Sequence, residues 1–354
     1  MNTARPGRSI SALTALGFAA LSFPAAIAES VTDTALEPVF DDQPRLRDVQ
    51  HPAWFKRSFL ELREDIREAA ANNKHGIIVY FGQDHCAYCE ALMTVNFGSE
   101  KDIVEYTRRH FDVIAIDIWG SREVIDLTGR LSTENNYAVR EKTNFTPSLL
   151  FYDTTGREAL RLRGYYSPYR FRAALEYVVD GYYRVESFHD YLSRADPPPK
   201  FDMADMNEQP YFAAPPYAMD RTRITAQKPL VVFFEQRNCH ACDILHTGPL
   251  DDSKTRKLLE KFDVVQLDMW SSTPVLTPAG TRVTARDWAH SLGLYYAPTL
   301  IFFDERGEEI IRVDSVVRLY RLRGVLEYVI ERGYLQAPTY QRWRAMRAQS
   351  RRTD

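Results

Sequence analysis

All four cysteines of this chain fall in two Cys-x-x-Cys motifs, CAYC at Cys86 to Cys89 and CHAC at Cys239 to Cys242. Two cysteines three apart at a helix start put one thiol among backbone N–H groups without intrahelical partners, which favours its thiolate and keeps the second thiol in reach. One attacks a disulfide and the other resolves the mixed disulfide, so the spacing points to thiol-disulfide exchange. Haem attachment would need a His directly after the second Cys, and Glu90 and Asp243 stand there instead. A zinc site would require both motifs to meet across separate domains, and two inert disulfides would close loops too tight to add much stability. Neither a metal nor a cofactor is expected.

The elements that must hold these thiols recur twice. Ile77 to Phe81 (IIVYF) precedes the first motif and Leu230 to Phe234 (LVVFF) the second, with Gln83 and Gln236 each three residues ahead of the first Cys. Downstream, FDVIAIDIW at Phe111 to Trp119 matches FDVVQLDMW at Phe262 to Trp270, and TPSLLFYDTTG at Thr146 to Gly156 matches APTLIFFDERG at Ala297 to Gly307. Each copy reads as strand, Cys-x-x-Cys helix, helix, strand, hairpin, helix, two strands and a closing helix. The short apolar runs have the length of buried central strands. Gly129 and Gly280 mark the hairpin turns, and Thr133 and Thr284 are N-cap candidates for the helices that follow. The class is α/β, with a mixed central sheet flanked by helices in each of two tandem domains. Ahead of the first copy, Phe55, Phe59, Leu62, Ile66 and Ala69 recur at helical spacing, which predicts one amphipathic helix.

The expected layout is a signal peptide at 1–28, a first domain at 45–195, a proline-rich linker at 196–216, a second domain at 217–347 and a basic tail at 348–354. Arg5 and Arg8, the apolar run from Ile10 to Phe23, and Ala26-Ile27-Ala28 form the three parts of a secretory signal. The run is shorter than the ~20 residues a membrane span needs, so no span is expected after cleavage. Losing the two arginines takes the formal charge from -3 to -5, too mild for electrostatic binding to nucleic acid. Export, here to a periplasm, puts the cysteines where disulfides persist. The basic end, with Arg342, Arg344, Arg347, Arg351 and Arg352, is expected to be a frayed helix and solvated tail.

A strand leading into Cys-x-x-Cys, followed about sixty residues later by an X-Pro dipeptide opening a strand, resembles the thioredoxin fold, twice over most of the mature chain. The hairpin insertion, the D-x-W after the second strand and RLRGYYSPYRF at Arg161 to Phe171 resemble exported thioredoxin-like proteins of sulfur-oxidising bacteria, the SoxW type. The resemblance implies that Cys86 and Cys239 are exposed nucleophiles, that Cys89 and Cys242 resolve, and that Thr146-Pro147 and Ala297-Pro298 are cis and pair with an extended substrate segment. Where thioredoxin carries a buried carboxylate, this chain has Tyr80 and Phe233, so proton handling must differ. Glu90, Asp243 and Glu235 are the candidates. Arg237, Asn238 and His240 surround the second thiol, whereas Asp84, His85 and Glu90 surround the first, which predicts that the second site is the stronger oxidant. The tyrosine runs at 165–169, 182–183 and 295–296, with Tyr211, Phe212 and Tyr217, either line a client groove or seal a domain interface. Tyr295 and Tyr296 have the best positional claim to touch substrate.

These features point to an exported thiol-disulfide oxidoreductase, leaning to reductase or isomerase. Its expected partners are protein disulfides and a membrane thiol electron donor or acceptor. The alternative is a non-catalytic periplasmic chaperone or binding module whose cysteines form structural disulfides.

Overall fold

The computed structural model describes residues 40–44, 46–195 and 206–353. The expected signal peptide and the first half of the expected linker lie outside them. Ala35–Asp354 form one compact unit that holds both copies.

The first copy runs α1 (Leu62–Ala71), β1 (Gly76–Gly82), α2 (Ala87–Ala91) continuing into a π-helical stretch (Leu92–Ser99), α3 (Lys101–His110), β2 (Phe111–Asp117), the hairpin β3 (Glu123–Ile125) and β4 (Leu131–Thr133), α4 (Glu134–Arg140), β5 (Ser148–Asp153), β6 (Glu158–Arg163), α5 (Pro168–Val179) and α6 (Phe188–Ala195). The second runs β7 (Tyr217–Ala218), β8 (Leu230–Glu235), α7 (His240–Thr247), α8 (Ser253–Leu259), β9 (Asp263–Asp268), the hairpin β10 (Pro274–Leu276) and β11 (Arg282–Thr284), α9 (Ala285–Ser291), β12 (Thr299–Phe303), β13 (Glu309–Val313), α10 (Leu319–Ile330), α11 (Gly333–Gln336) and α12 (Tyr340–Thr353). The sheets have matching orders, β2-β1-β5-β6 and β9-β8-β12-β13. In each, the central strand pairs parallel on one side and antiparallel on the other, so the sheets are mixed.

Both central strands are buried on both faces, which is why their sequences are continuously apolar. Ile78 and Tyr80 face one cluster while Ile77, Val79 and Phe81 face another, the alternation a strand imposes. The hairpins turn at Gly129 and Gly280, both at positive φ, and the Thr133 and Thr284 hydroxyls accept from the N–H groups of Asn136 and Asp287.

The leading helix is shorter than the periodicity predicts. Only Leu62, Ile66 and Ala69 lie on the buried stripe of α1, Phe59 is 96% exposed, and Phe55 packs on Phe97 from a separate turn. Leu60 at φ 64° breaks the run, and Ser58 bonds to the Leu60 N–H and the Asp65 carboxylate there. The second copy has β7 in that place, laid parallel on β10. Residues 206–216 are laid on the second copy: Ala213 donates to the Val264 carbonyl, and Phe212 packs on Phe233.

The two copies face each other reciprocally. Phe145 sits in the second copy's core and its counterpart Tyr296 in the first copy's core. Val316 N donates to the carbonyl oxygen of its own counterpart, Tyr165, at 3.1 Å, and Arg163 lies 3.8 Å from its counterpart Asp314. Equivalent residues meeting one another in this way place an approximate two-fold axis through the contact. The segment from Gly164 is held tightly there: at φ 111°, a Cβ on it would stand 2.0 Å from Ser315 Oγ.

Candidate active site

At both motifs the first cysteine is the N-cap of its helix, with extended backbone, and its Sγ accepts from the N–H of the second at 3.1 Å. The helix start thus supplies the donor that stabilises a thiolate. His85 and Asn238, immediately ahead of the first cysteines, adopt positive φ of 59° and 49°, a left-handed step that turns each strand into its helix. Cys86–Cys89 and Cys239–Cys242 are disulfide-bonded. Cys89 and Cys242 are fully buried, Cys86 is half-buried, and Cys239 is 6% exposed. The first cysteine is the more accessible at each site, but Cys239 is not the exposed residue expected of it.

The peptide bonds Thr146–Pro147 and Ala297–Pro298 are cis, as is Pro215–Pro216. Cys86 Sγ lies 3.5 Å from the Thr146 carbonyl oxygen and 3.4 Å from its hydroxyl, while Cys239 Sγ lies 3.8 Å from the Ala297 carbonyl oxygen. Gln83 and Gln236, three residues ahead of each nucleophile, take a hydrogen bond from the indole N–H of Trp119 and Trp270 at 2.7 and 2.8 Å. Gln83 also donates to the Thr146 hydroxyl, which ties the D-x-W, the strand end and the X-Pro turn into one frame.

The opposite copy covers both X-Pro turns, and all four of their residues are buried. Over the first, Arg321 donates to the Thr146 carbonyl, Gln341 accepts from Gln83, and Arg342 stacks 3.9 Å from the Trp119 ring. Beside the second, Arg170 donates to the Tyr295 carbonyl, Tyr166 bonds to the Tyr295 hydroxyl, and His189 stacks on Trp270. Tyr295 and Tyr296 therefore belong to the interface between copies rather than to an open substrate surface. The basic end departs from the expected solvated tail as well: α12 continues to Thr353, Arg342 donates to the Ile118 carbonyl, and Arg347 pairs with Glu327 and Glu331.

The expected tuning residues separate into two groups. At the first site they anchor the leading segment at 40–44 and 46–49: His85 bonds to the Arg47 backbone, Glu90 pairs with the Arg47 guanidinium, and Asp84 accepts from Val49 N. A cleft of about 350 Å³ opens there beside Cys86, with Phe40, Arg47, Val49, Glu90 and Val95 in its walls. At the second site, Arg237 approaches Asp268 at 3.5 Å, His240 is exposed, and Asp243 accepts from Asn207. Glu235 alone is buried deep, 1% exposed; its carboxylate accepts from Gln266 Nε2 and pairs with His246 Nε2 at 2.9 Å. The first copy has Gly82 at that position, and the Tyr80 hydroxyl lies over it, buried, with no hydrogen-bond partner among the described residues. Burial pushes the Tyr80 phenol far above its ordinary range, so it stays neutral.

Two residues near the first dithiol were not singled out from sequence. Asp42 accepts from the Tyr88 hydroxyl at 2.8 Å and from the backbone N–H groups of Tyr320 and Arg321, capping α10 from outside its own chain segment. Arg321 could have been reached through the repeat, because it occupies the position of Arg170. Nothing in the sequence marks Asp42.

The fold and its paired sites define a thiol-disulfide oxidoreductase. The profile of the thioredoxin-like domain family matches residues 62–179 and again 216–330, and the chain belongs to that family. Among solved structures it is similar to a thioredoxin-fold protein from Helicobacter pylori (24% identity over 35% of this chain and 80% of that one, TM-score 0.30). It is also similar to a thioredoxin from Thermus thermophilus (23%, 33% and 83%, TM-score 0.26) and to a DsbH oxidoreductase (13%, 41% and 94%, TM-score 0.25). The comparison with curated protein sequences found no match.

Proposed function

We propose that the protein is exported and reduces or isomerises disulfides of periplasmic proteins. The observation that supports this reading best is the repetition of a whole site, with a helix-capping first cysteine against an X-Pro turn and a fully buried second cysteine. In the reductive direction the Cys86 or Cys239 thiolate attacks one substrate sulfur, forming a mixed disulfide and releasing the other sulfur as thiolate. Cys89 or Cys242, losing its proton, then attacks the enzyme sulfur of that bond, closes the Cys-x-x-Cys disulfide and releases the second substrate thiol. Two electrons pass to substrate, and a membrane thiol donor returns them. Export rests on the first 28 residues, and N-terminal sequencing of the mature protein should begin at Glu29.

The test is insulin reduction with dithiothreitol, comparing wild type, Cys86→Ser, Cys239→Ser and the double variant. The double variant should lose turnover, and full activity in it would overturn the reading. Thiol trapping of the exported protein then fixes direction: a reductase is found largely reduced, an oxidase largely oxidised.

A further inference from the structure

We propose that Arg321, supplied by the second copy, is a positioning residue for the first dithiol, holding the Thr146 carbonyl and stabilising the Cys86 thiolate that attacks substrate. This rests on the exchange reaction proposed above and assigns part of the first site to the opposite half of the molecule.

Arg321 is only 8% exposed, near the start of α10. Its Nη2 donates to the Thr146 carbonyl oxygen at 2.8 Å, and Cys86 Sγ lies 3.5 Å from the same oxygen. One carbonyl oxygen is therefore shared by a cation and the attacking sulfur. The guanidinium carbon lies 3.3 Å from the ring centroid of Tyr88, the second inner residue of CAYC, and 5.1 Å from that of Phe145. Nη1 is buried with no hydrogen-bond partner among the described residues, a cost that calls for an explanation in a native structure. The guanidinium and Cys86 Sγ share the Thr146 oxygen, which keeps charge and sulfur within roughly 6 Å, the range in which an opposite charge lowers a thiol's pKa by about one to three units.

The other charges facing Cys86 do not duplicate this. Asp42 binds the Tyr88 hydroxyl, at the tip of the ring on which Arg321 stacks. Glu90 is paired with Arg47, and Asp84 and His85 are exposed and bonded to the backbone of the leading segment. The second site lacks the device. Ala241 replaces Tyr88, so the close ring is lost; Arg170 keeps only the Tyr296 ring at 5.8 Å and is half-buried on the Tyr295 carbonyl, two residues short of Ala297. This asymmetry opposes the expectation from local charge that the second site is the stronger oxidant.

The experiment follows iodoacetamide alkylation of each cysteine in the reduced full-length protein from pH 4 to 9, with peptides resolved by mass spectrometry. Arg321→Met should raise the apparent pKa of Cys86 by at least about one unit, a tenfold loss of alkylation rate below that pKa, while Cys239 keeps its wild-type profile. Arg321→Lys should restore part of the shift. Tyr88→Ala, which copies the second site, should move Cys86 in the same direction as Arg321→Met, and Arg170→Met should leave it in place. A tenfold loss of thiolate stabilisation corresponds to a potential about 30 mV more reducing at the first dithiol. An unmoved Cys86 profile in Arg321→Met, or equal shifts at Cys86 and Cys239, would overturn the assignment. The alkylation profile needs no turnover, so a failure of insulin reduction leaves this result readable on its own.

Discussion

The two dithiols share a backbone frame and differ in what surrounds it. Each has a capping cysteine, a left-handed residue before it, a Gln–Trp hydrogen bond and an X-Pro turn. At the first, a Thr hydroxyl stands beside the sulfur, and a buried Arg from the opposite copy, stacked on a Tyr ring, holds the Thr146 carbonyl. At the second those positions hold Ala297, Ala241 and an Arg that reaches elsewhere, while a buried Glu235–His246–Gln266 network lies at the end of the incoming strand. Duplication kept the geometry and let the electrostatics diverge. Small changes suffice because one opposite charge a few ångströms away shifts a thiol by more than a unit.

The largest effect that would sharpen this comparison is at Glu235. Glu235→Ala strands His246 Nε2 in the core and leaves Gln266 only the Asn207 carbonyl, and chemical denaturation should show a loss of about 1–3 kcal/mol. Unchanged stability would mean that the network is not a structural partner of the second dithiol. The matching change in the first copy, Gly82→Ala, sets a Cβ 2.0 Å from the Tyr80 hydroxyl and should cost about 1–3 kcal/mol. Adding Tyr80→Phe, the residue of the second copy, should leave most of that loss in place, because the ring carbons Cζ and Cε1 would still stand 2.3 and 2.6 Å from the new Cβ.

A smaller effect is expected from Thr146→Ala, which gives the first X-Pro turn the residue of the second. Losing one donor to the thiolate is worth about 1 kcal/mol, so Cys86 alkylation near pH 6 should slow about fivefold. The reverse change, Ala297→Thr, should speed Cys239.

The smallest lies on the two-fold contact and is read through pH. Burial holds the Asp314 carboxyl above its ordinary range, so the folded state takes up its proton before the unfolded chain does. Stability from this group therefore rises as pH falls from the raised value towards about 4, and Asp314→Asn should remove that rise in thermal melts. Asp190 has the opposite sign. The Ser187 hydroxyl, helped by His189 and His290, holds it below the usual carboxylate range, so its contribution is lost as pH falls below about 4. Asp190→Asn should flatten the acid limb of the stability curve.

Much of the fold was legible because the repeat states it twice. Apolar runs of strand length, glycines at hairpin turns and threonines ahead of helices are local signals, and each found its element. The leading helix failed because Phe55 and Phe59 continue a period that Leu60 breaks; a periodicity carries no information about a left-handed residue inside it. The tyrosine runs and the basic end were ambiguous for another reason. Whether Tyr295, Tyr296 or Arg342 meets solvent, substrate or a second core depends on the surface opposite, and only the docked copies supply it.

By itself the sequence determined the two dithiols, their helix starts, the X-Pro turns and the repeated sheets, because these depend on residues close in the chain or on copies that can be aligned. The tertiary structure alone decided that Asp42 caps a helix nearly three hundred residues away and that Arg321 holds the Thr146 carbonyl on which Cys86 also rests. Charge acts through space, and the field at a thiol is set by neighbours that share no sequence signal with it.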